Sequence, residues 1–578
     1  MSSRLSLSTG QYSDRGRKEI NQDFHGLCIP DEPLLSAKGI AIALADGISS
    51  SDVAHIASES AVKSFLDDYL CTSDAWSVRS SAERVLAATN SWLTTQTQRS
   101  PYRHDRDRGY VCTFSALILK ATTAHIVHVG DSRVYRLRDG ALEQLTNDHR
   151  LIVSEGQSYL SRALGMSEQV DIDYQSIPLR EGDVFILATD GVYEFAAPAF
   201  IIDTIAGHAD QLDTAARLIA EEALAQGSKD NLTIQVARID TLPQQPSNEL
   251  QQQLAELPPA PILEPRMLFD GYRVVRQLHG SSRSHIYLAE DGDGGDLVVI
   301  KVPSIDLRGE PAYLERFMLE EWIARRVNSA HVLKPCPPKR KRHYLYVVTE
   351  YIEGQTLAQW MRDNPAPELE TVRGIIEQIA RGLLAFHRME MLHQDLRPNN
   401  VMIDGSGTVK IIDFGSTRVA GLAEAETTDK VADILGTAQY TAPEYFLGET
   451  GSPNSDLFSL GVIAYQMLSG RLPYGAEVAK SRTRAAQKKL HYASVLDEHR
   501  EIPAWVDAAL AKAVHPDPFK RYAELSEFTH DLRHPNLALT GQRGPALIER
   551  NPVLFWKGTS LLLGVLVMVL LATITLRT

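Results

Sequence analysis

Two kinds of apolar pattern alternate along the first 240 residues. Residues 40–45, 124–129, 184–188 and 232–236 are short, nearly unbroken apolar runs, as strands buried on both faces require. Residues 53–69 and 213–225 instead space their apolar side chains at helical intervals. The alternation predicts a sheet-rich core with helices outside it. From 241 to 265 the periodicity dissolves into TLPQQPSNELQQQLAELPPAPILEP, whose Gln and Pro content predicts a semi-extended linker and a domain boundary. Beyond it, strand-like runs at 298–302 and 344–349 precede a longer helix-rich part from 371 to 533, which predicts a small lobe followed by a larger helical one. No internal repeat is visible.

The C-terminal pattern is of a third kind. Residues 558–576, GTSLLLGVLVMVLLATITL, carry no charge and are flanked by Lys557 and Arg577. As a helix they would span about 28 Å, close to the roughly 30 Å of a bilayer core. A buried core helix is the alternative, but only two residues follow it to cover it. Arg543, Arg550 and Lys557 precede the span, so the expectation is a single-pass tail anchor in the cell (inner) membrane with the rest of the chain cytoplasmic. Residues 534–557 read as a juxtamembrane connector, and residues 1–15 are too polar for a signal peptide.

Composition narrows the function classes. The chain has 578 residues, 44% hydrophobic, enough for several cores. Its 59 Lys and Arg against 73 Asp and Glu give a net charge of -14, which argues against a nucleic-acid binder. Cys28, Cys71, Cys112 and Cys336 are scattered, so neither a zinc site nor a disulfide framework is indicated, and buried reduced thiols are expected. Two basic runs, 339–343 and 480–489, read as a solvated turn and a helix surface, with an anionic lipid or acidic partner as the alternative for the first.

Three of the apolar runs adjoin an acid. AIALADG ends at Asp46, VFILATDG ends at Asp190, and KDNLTIQV begins just after Asp230. A lone Asp-Gly is usually a turn. Three such acids delivered to one sheet edge, with Gly130-Asp131-Ser132-Arg133 between them, suit the sharing of hard cations. Together with Ser13-Asp14-Arg15-Gly16, Asn21-Gln22-Asp23, Leu160-Ser161-Arg162-Ala163-Leu164-Gly165 and Asp230-Asn231-Leu232-Thr233, they resemble the metal-dependent PPM-type Ser/Thr protein phosphatases over residues 6–239.

That resemblance implies an α/β sandwich over 6–240, with helices outside two central sheets. It implies that Asp46 bridges two Mg²⁺ or Mn²⁺ ions, that the Gly47 carbonyl joins one of them, and that Asp190 and Asp230 hold the other. Asp131 matches an acid for a weaker third ion, and Asp23 an acid near the metal waters. The implied chemistry is two-metal activation of water for in-line attack on phosphorus, with no phosphoenzyme. Lys18 stands where the family usually has a phosphate-gripping Arg, a point charge in place of a bidentate fork. Gln22 and Ile48-Ser49-Ser50 are further departures.

A second set falls in order along the helix-rich half: Val298-Val299-Ile300-Lys301, Glu320, His393-Gln394-Asp395-Leu396-Arg397-Pro398-Asn399-Asn400, Asp413-Phe414-Gly415, Ala442-Pro443-Glu444, Asp456 with Ser459-Leu460-Gly461, and Arg521. It resembles the eukaryotic-type Ser/Thr protein kinases over 272–532, implying a bilobal α+β fold over 270–533. The resemblance implies that Lys301 holds the α- and β-phosphates of ATP, oriented by Glu320 or, less favoured by spacing, Glu321. Asp413 and Asn400 would hold Mg²⁺, Asp395 would accept the proton of the protein hydroxyl, and Arg397 would touch the transferred phosphate. Glu444 and Arg521 match a structural ion pair.

The match is poorest at the nucleotide loop, Leu278-His279-Gly280-Ser281-Ser282-Arg283-Ser284-His285-Ile286, where side chains occupy all three expected glycine positions. Either ATP binding is weak or the Ser hydroxyls and Arg283 compensate. Gln394 replaces an Arg that pairs with activation-segment phosphate in regulated members, and Ser416, Thr417, Thr427, Thr428, Thr437 and Thr441 lie in that segment. The resulting expectation is a membrane-anchored chain that phosphorylates and dephosphorylates protein Ser and Thr. The alternative is a phosphatase governed by a weak, kinase-like scaffold domain.

Overall fold

The computed structural model describes residues 4–154, 157–243, 257–281, 284–292, 294–307, 310–336, 339–424, 438–496, 501–536 and 538–539. The expected tail anchor at 558–576 and most of the connector before it lie outside these residues. Among the described residues, no helix is long and apolar enough to cross a membrane.

The N-terminal part is a sandwich of two five-stranded sheets. One orders Ser6–Asp14, Leu232–Thr241, Val184–Ala188, Arg133–Arg138 and Ala141–Gln144; the other orders Asp173–Pro178, Thr123–Val129, Phe114–Lys120, Ile40–Asp46 and Asp23–Cys28. Every pairing is antiparallel. The unbroken apolar runs follow from burial on both faces. Ile40, Ile42 and Leu44 point between the sheets with Phe185, Leu187 and Ile239. Ala41, Ala43 and Ala45 point outward, where Ala57, Ala61 and Phe65 of helix Ala54–Cys71 and Leu86 of helix Val78–Arg99 cover them. Alanine on that face lets the helices come close. Phe65 is fully buried, and its truncation to Ala would cost about 3–5 kcal/mol. Helices Pro198–Gly207 and Leu212–Ala225 cover the outer face of the first sheet.

The C-terminal part has two lobes. The small one is a five-stranded sheet, Leu268–Phe269, Tyr272–Gly280, Ser284–Asp291, Leu297–Pro303 and Val347–Glu350, with helix Pro311–Arg326. The strand expected over 344–349 starts only at Val347. In the large lobe, helix Leu369–Arg388 buries Val372, Ile375, Ile376, Ile379, Leu383 and Phe386, an i, i+3, i+4, i+7 stripe. It packs on Pro453–Ser469, which starts with a Ser452/Ser455 capping box and stops at Gly470, in the left-handed region.

Three expectations need correction. The segment expected as a linker contributes to the small lobe: Ala260 and Leu263 are buried there, and Leu345 N donates to Pro258 O at 2.8 Å. Residues 244–256 lie outside the description. The basic run 339–343 is no solvated turn, because Arg340 pairs with Asp291 at 2.6 Å and Arg342 grips the buried Glu321 with two 2.6 Å bonds. Of the four free cysteines, only Cys112 is fully buried and Cys71 is exposed.

Candidate functional sites

Strand Ile40–Asp46 delivers Asp46 to the sheet edge opposite Asp23 of the neighbouring strand. Asp190 opens the short helix after Val184–Ala188, and Asp230 precedes Leu232–Thr241. Gly191 is obligatory there, since a Cβ would lie 2.0 Å from the Asn231 carbonyl oxygen. Burial, reinforced by Asp23, Asp190, Asp131 and Asp230, lifts the Asp46 carboxyl well above the usual carboxylate range. Burial likewise pushes Asp23 to about 6 despite hydrogen bonds from Thr233 and Thr189. Asp190 is pushed to about 7 by burial and by Asp131 and Asp230. Five acids thus crowd one sheet edge and repel one another.

Two cations answer them. Arg150 bonds to Asp131 at 2.5 Å, Asp190 at 2.8 Å and Glu194 at 2.7 Å. Lys18 forms an ion pair with Asp230 and donates to Ser49 Oγ at 2.7 Å. As the side chains stand, no three His, Cys, Asp or Glu among the described residues gather tightly enough to hold an ion by themselves. The donor chemistry still fits Mg²⁺ or Mn²⁺: all-oxygen, strongly anionic, and leaving coordination positions to water and the Gly47 carbonyl.

The backbone around the acids is tied by polar side chains that are not themselves acids. Asn231 Nδ2 donates to the carbonyls of Arg15 and Ile20 at 2.9 and 3.0 Å, and its Oδ1 accepts from Gln22 N. Gln22 Nε2 bonds Ser51 O at 2.7 Å, so that departure anchors the 48–51 turn. Thr189 Oγ1 donates to Asp23 at 3.0 Å. Arg150 follows no recognisable sequence signal, whereas Asn231 directly follows Asp230 in Asp230-Asn231-Leu232-Thr233.

In the kinase-like half, Lys301 Nζ lies 2.6 Å from Glu320 Oε2 and 3.4 Å from Asp413 Oδ1. Burial opposes the Lys301 charge, but Asp413 and Glu320 outweigh it and keep the ammonium protonated. The Lys301 charge in turn holds Asp413 below the usual carboxylate range. Of the two adjacent acids, Glu320 therefore faces the site, and Glu321 is taken by Arg342 and Arg325.

Asn400 Nδ2 donates to Asp395 O at 2.9 Å and Oδ2 at 3.1 Å, and Arg397 Nε sits 3.5 Å from Asp395 Oδ2. Buried Asp456 accepts the backbone N–H groups of His393 and Gln394 at 2.9 and 3.0 Å, fixing the catalytic loop from beneath. Gln394 and Asp413 have φ of 64° and 65°, a left-handed conformation unusual for residues with side chains and typical of strained functional sites. Phe414 is buried between Phe386 and His393. Glu444 and Arg521 form a bidentate pair at 2.8 and 2.7 Å, both buried.

At the nucleotide loop, Leu278, His279 and Gly280 end one strand, and Ser284, His285 and Ile286 begin the next. Ile286 lies opposite Lys301 across the sheet. Ser281 N and Oγ both donate to Ser284 O, at 3.0 and 3.2 Å. Ser282, Arg283, Thr427, Thr428 and Thr437 lie outside the described residues.

Known proteins resemble the two halves separately. The family model for protein phosphatase 2C matches residues 11–230, and that for the protein kinase domain matches 272–535. The serine/threonine-protein kinase PknL of Mycobacterium bovis is 30% identical over 291 residues, 49% of this chain and 71% of PknL. PrkC of Bacillus subtilis, also a serine/threonine-protein kinase, is 28% identical over 264 residues, 45% of this chain and 40% of PrkC. The chain thus spans about half, or less, of the length of several curated relatives, 40% and 50% in two cases. A solved structure of the Mycobacterium tuberculosis serine/threonine phosphatase PstP is 24% identical, with a TM-score of 0.35, covering 41% of this chain and 100% of that one. The chain belongs to the serine/threonine-protein kinases and carries, ahead of its kinase domain, a protein phosphatase 2C domain.

Proposed function

We propose that this chain both places and removes phosphate on Ser and Thr side chains of proteins, itself included, using ATP with Mg²⁺ in one domain and Mg²⁺ or Mn²⁺ in the other. The observation that carries the reading is the Lys301–Glu320 pair at 2.6 Å, with Asp413 on the other side of the ammonium. A kinase-like scaffold has no need of a half-buried lysine held between two acids at that point. In this reading Lys301 orients the α- and β-phosphates, and Asp413 and Asn400 hold Mg²⁺. Asp395, steadied by Asn400, orients the protein hydroxyl and takes its proton, while Arg397 offers a cation to the phosphoryl group.

In the phosphatase domain, Asp46, Asp190 and Asp230, with the Gly47 carbonyl, would hold two ions and Asp131 a weaker third. Bound there, such ions would supply an activated water and charge neutralisation for the phosphoryl oxygens. Asp23 would lie near the waters of those ions, and Lys18 would offer a point charge to the phosphate. Residues 558–576 would anchor both domains at the cytoplasmic face of the inner membrane.

One observation favours the second reading, a weak nucleotide-binding scaffold. The backbone N–H and hydroxyl of Ser281 turn inward to Ser284, so neither serves to cradle phosphates. Transfer of labelled γ-phosphate from ATP by the full-length chain, against an Asp395→Asn control, decides between the two. Labelling only without the substitution supports the kinase; equal labelling leaves only the scaffold. Truncation at Asn551 tests the anchor: the protein should move to the soluble fraction, and persistence in salt-washed membranes refutes it.

A further inference from the structure

The turn between the phosphatase helices Ala54–Cys71 and Val78–Arg99 is seated in the kinase domain. Ala75 is fully buried in a hydrophobic core that joins the large lobe to helix Pro311–Arg326, and its carbonyl accepts Gly421 N at 2.9 Å. Asp74 takes two guanidinium nitrogens of Arg326, at 2.9 and 2.7 Å. Trp76 Nε1 donates to Arg388 O at 3.1 Å, and Ser77 N donates to Glu390 at 2.9 Å.

The kinase returns the contact. Glu424 accepts Val78 N at 3.0 Å, placing a carboxylate at the positive end of helix Val78–Arg99. Lys120, only 2% exposed, donates to Gly421 O at 2.7 Å and lies 3.5 Å from Glu424. The approach demands glycine, because a Cβ at Gly421 would lie 2.3 Å from Asp74 O and 2.8 Å from Trp76 O. A buried lysine compensated from the other domain, a backbone pair and a two-bond ion pair make this a built interface.

What it touches matters more than its size. Arg326 ends the helix Pro311–Arg326 that carries Glu320. Residues 418–424 follow Asp413-Phe414-Gly415. The two elements adjoin Glu320 and Asp413, and the Lys301–Glu320 pair and Asp413 must both be in place for phosphoryl transfer. Gln394 stands where a phosphate-pairing Arg is common, so a phosphorylated segment has one charge partner fewer.

We infer that the 72–77 turn of the phosphatase domain is an intramolecular docking element that holds helix Pro311–Arg326 and residues 418–424 in their assembled positions. Kinase activity then depends on the fold of the phosphatase domain and not on its catalysis. This rests on the kinase reading above, so the test reads docking and activity separately.

In the full-length chain, Asp74→Arg and Gly421→Ala should each lower phosphate transfer to protein by about tenfold, within the ordinary range of coupling between sites. Hydrolysis of p-nitrophenyl phosphate should be unaltered, and hydrogen exchange across 418–424 should quicken. Gly421→Ala raises helix propensity at its own position, so its loss would report the contact and not local unfolding. Asp74→Arg with Arg326→Asp should recover transfer lost in Asp74→Arg alone. Unchanged transfer and exchange in both single variants overturns the inference, as does failure of the double variant to recover together with unchanged exchange. If the native chain transfers no phosphate, the kinase reading falls by itself; exchange quickened by Gly421→Ala still supports docking, and unchanged exchange overturns it.

Discussion

Asp23 and Asp46 stand directly opposite each other on adjacent antiparallel strands at the sheet edge, Asp23 buried and Asp46 half-buried. Like charges in that arrangement destabilise a sheet. Divalent cations relieve the repulsion, so Mn²⁺ or Mg²⁺ should raise the Tm of the phosphatase transition and be required for phosphate hydrolysis. Asp46→Asn should remove at least about two orders of magnitude of hydrolytic rate, or about 2.7 kcal/mol of transition-state stabilisation. It should also shrink the metal-induced gain in Tm. Full activity in excess chelator would sink the metal assignment.

The same crowding sets a pH dependence with a definite sign. Asp190 and Asp23 have folded-state values of about 7 and about 6, both raised from 3.8. Between those limits the folded chain binds more protons than the unfolded one, so their contribution is fully present below about 4 and is lost as pH rises through 6 to 7. In chelator, calorimetry should show the phosphatase transition falling in Tm over that interval relative to Asp190→Asn, and added Mn²⁺ should restore it. A flat difference between the two proteins would contradict the argument.

Lys18 pairs with Asp230 and reaches Ser49, which puts its ammonium beside the acids. A guanidinium grips phosphate with two parallel bonds where an ammonium makes a point contact. Lys18→Arg should therefore lower KM for a phosphoprotein. Steady-state kinetics showing an unchanged or raised KM would remove Lys18 from the phosphate site.

Glu444 and Arg521 are both buried and joined by two hydrogen bonds. Removing one partner strands the other charge, so Arg521→Met should destabilise the kinase domain by about 3–5 kcal/mol. Replacing both, Glu444→Leu with Arg521→Met, should cost much less. Denaturant titration distinguishes the two; equal losses would show that packing and not charge is at stake.

Much of this molecule is legible in order and periodicity. Strands such as Ile40–Asp46 and Val184–Ala188 announce themselves because both faces are buried and every position must be apolar. Helix Leu369–Arg388 does so because one face is buried and apolar residues recur every three or four positions. Asp46, Asp190, Lys301 and Asp413 are legible because each ends, or sits in, such a run at a fixed place in the order.

Other features depend on contacts that leave no local trace. Glu320 and Glu321 are chemically identical neighbours, and only the rotation of their helix against the sheet turns one to Lys301 and the other to Arg342. Arg150 reaches Asp131 and Asp190 from 19 and 40 residues away, and a surface arginine looks the same in sequence wherever its side chain goes. The 72–77 turn carries no local mark of its contacts. They exist only because a second domain, some 350 residues on, brings Gly421 and Glu424 against it. Local pattern fixed which elements form; long-range packing decided which of their polar groups meet, because a charge finds its partner in space and not along the chain.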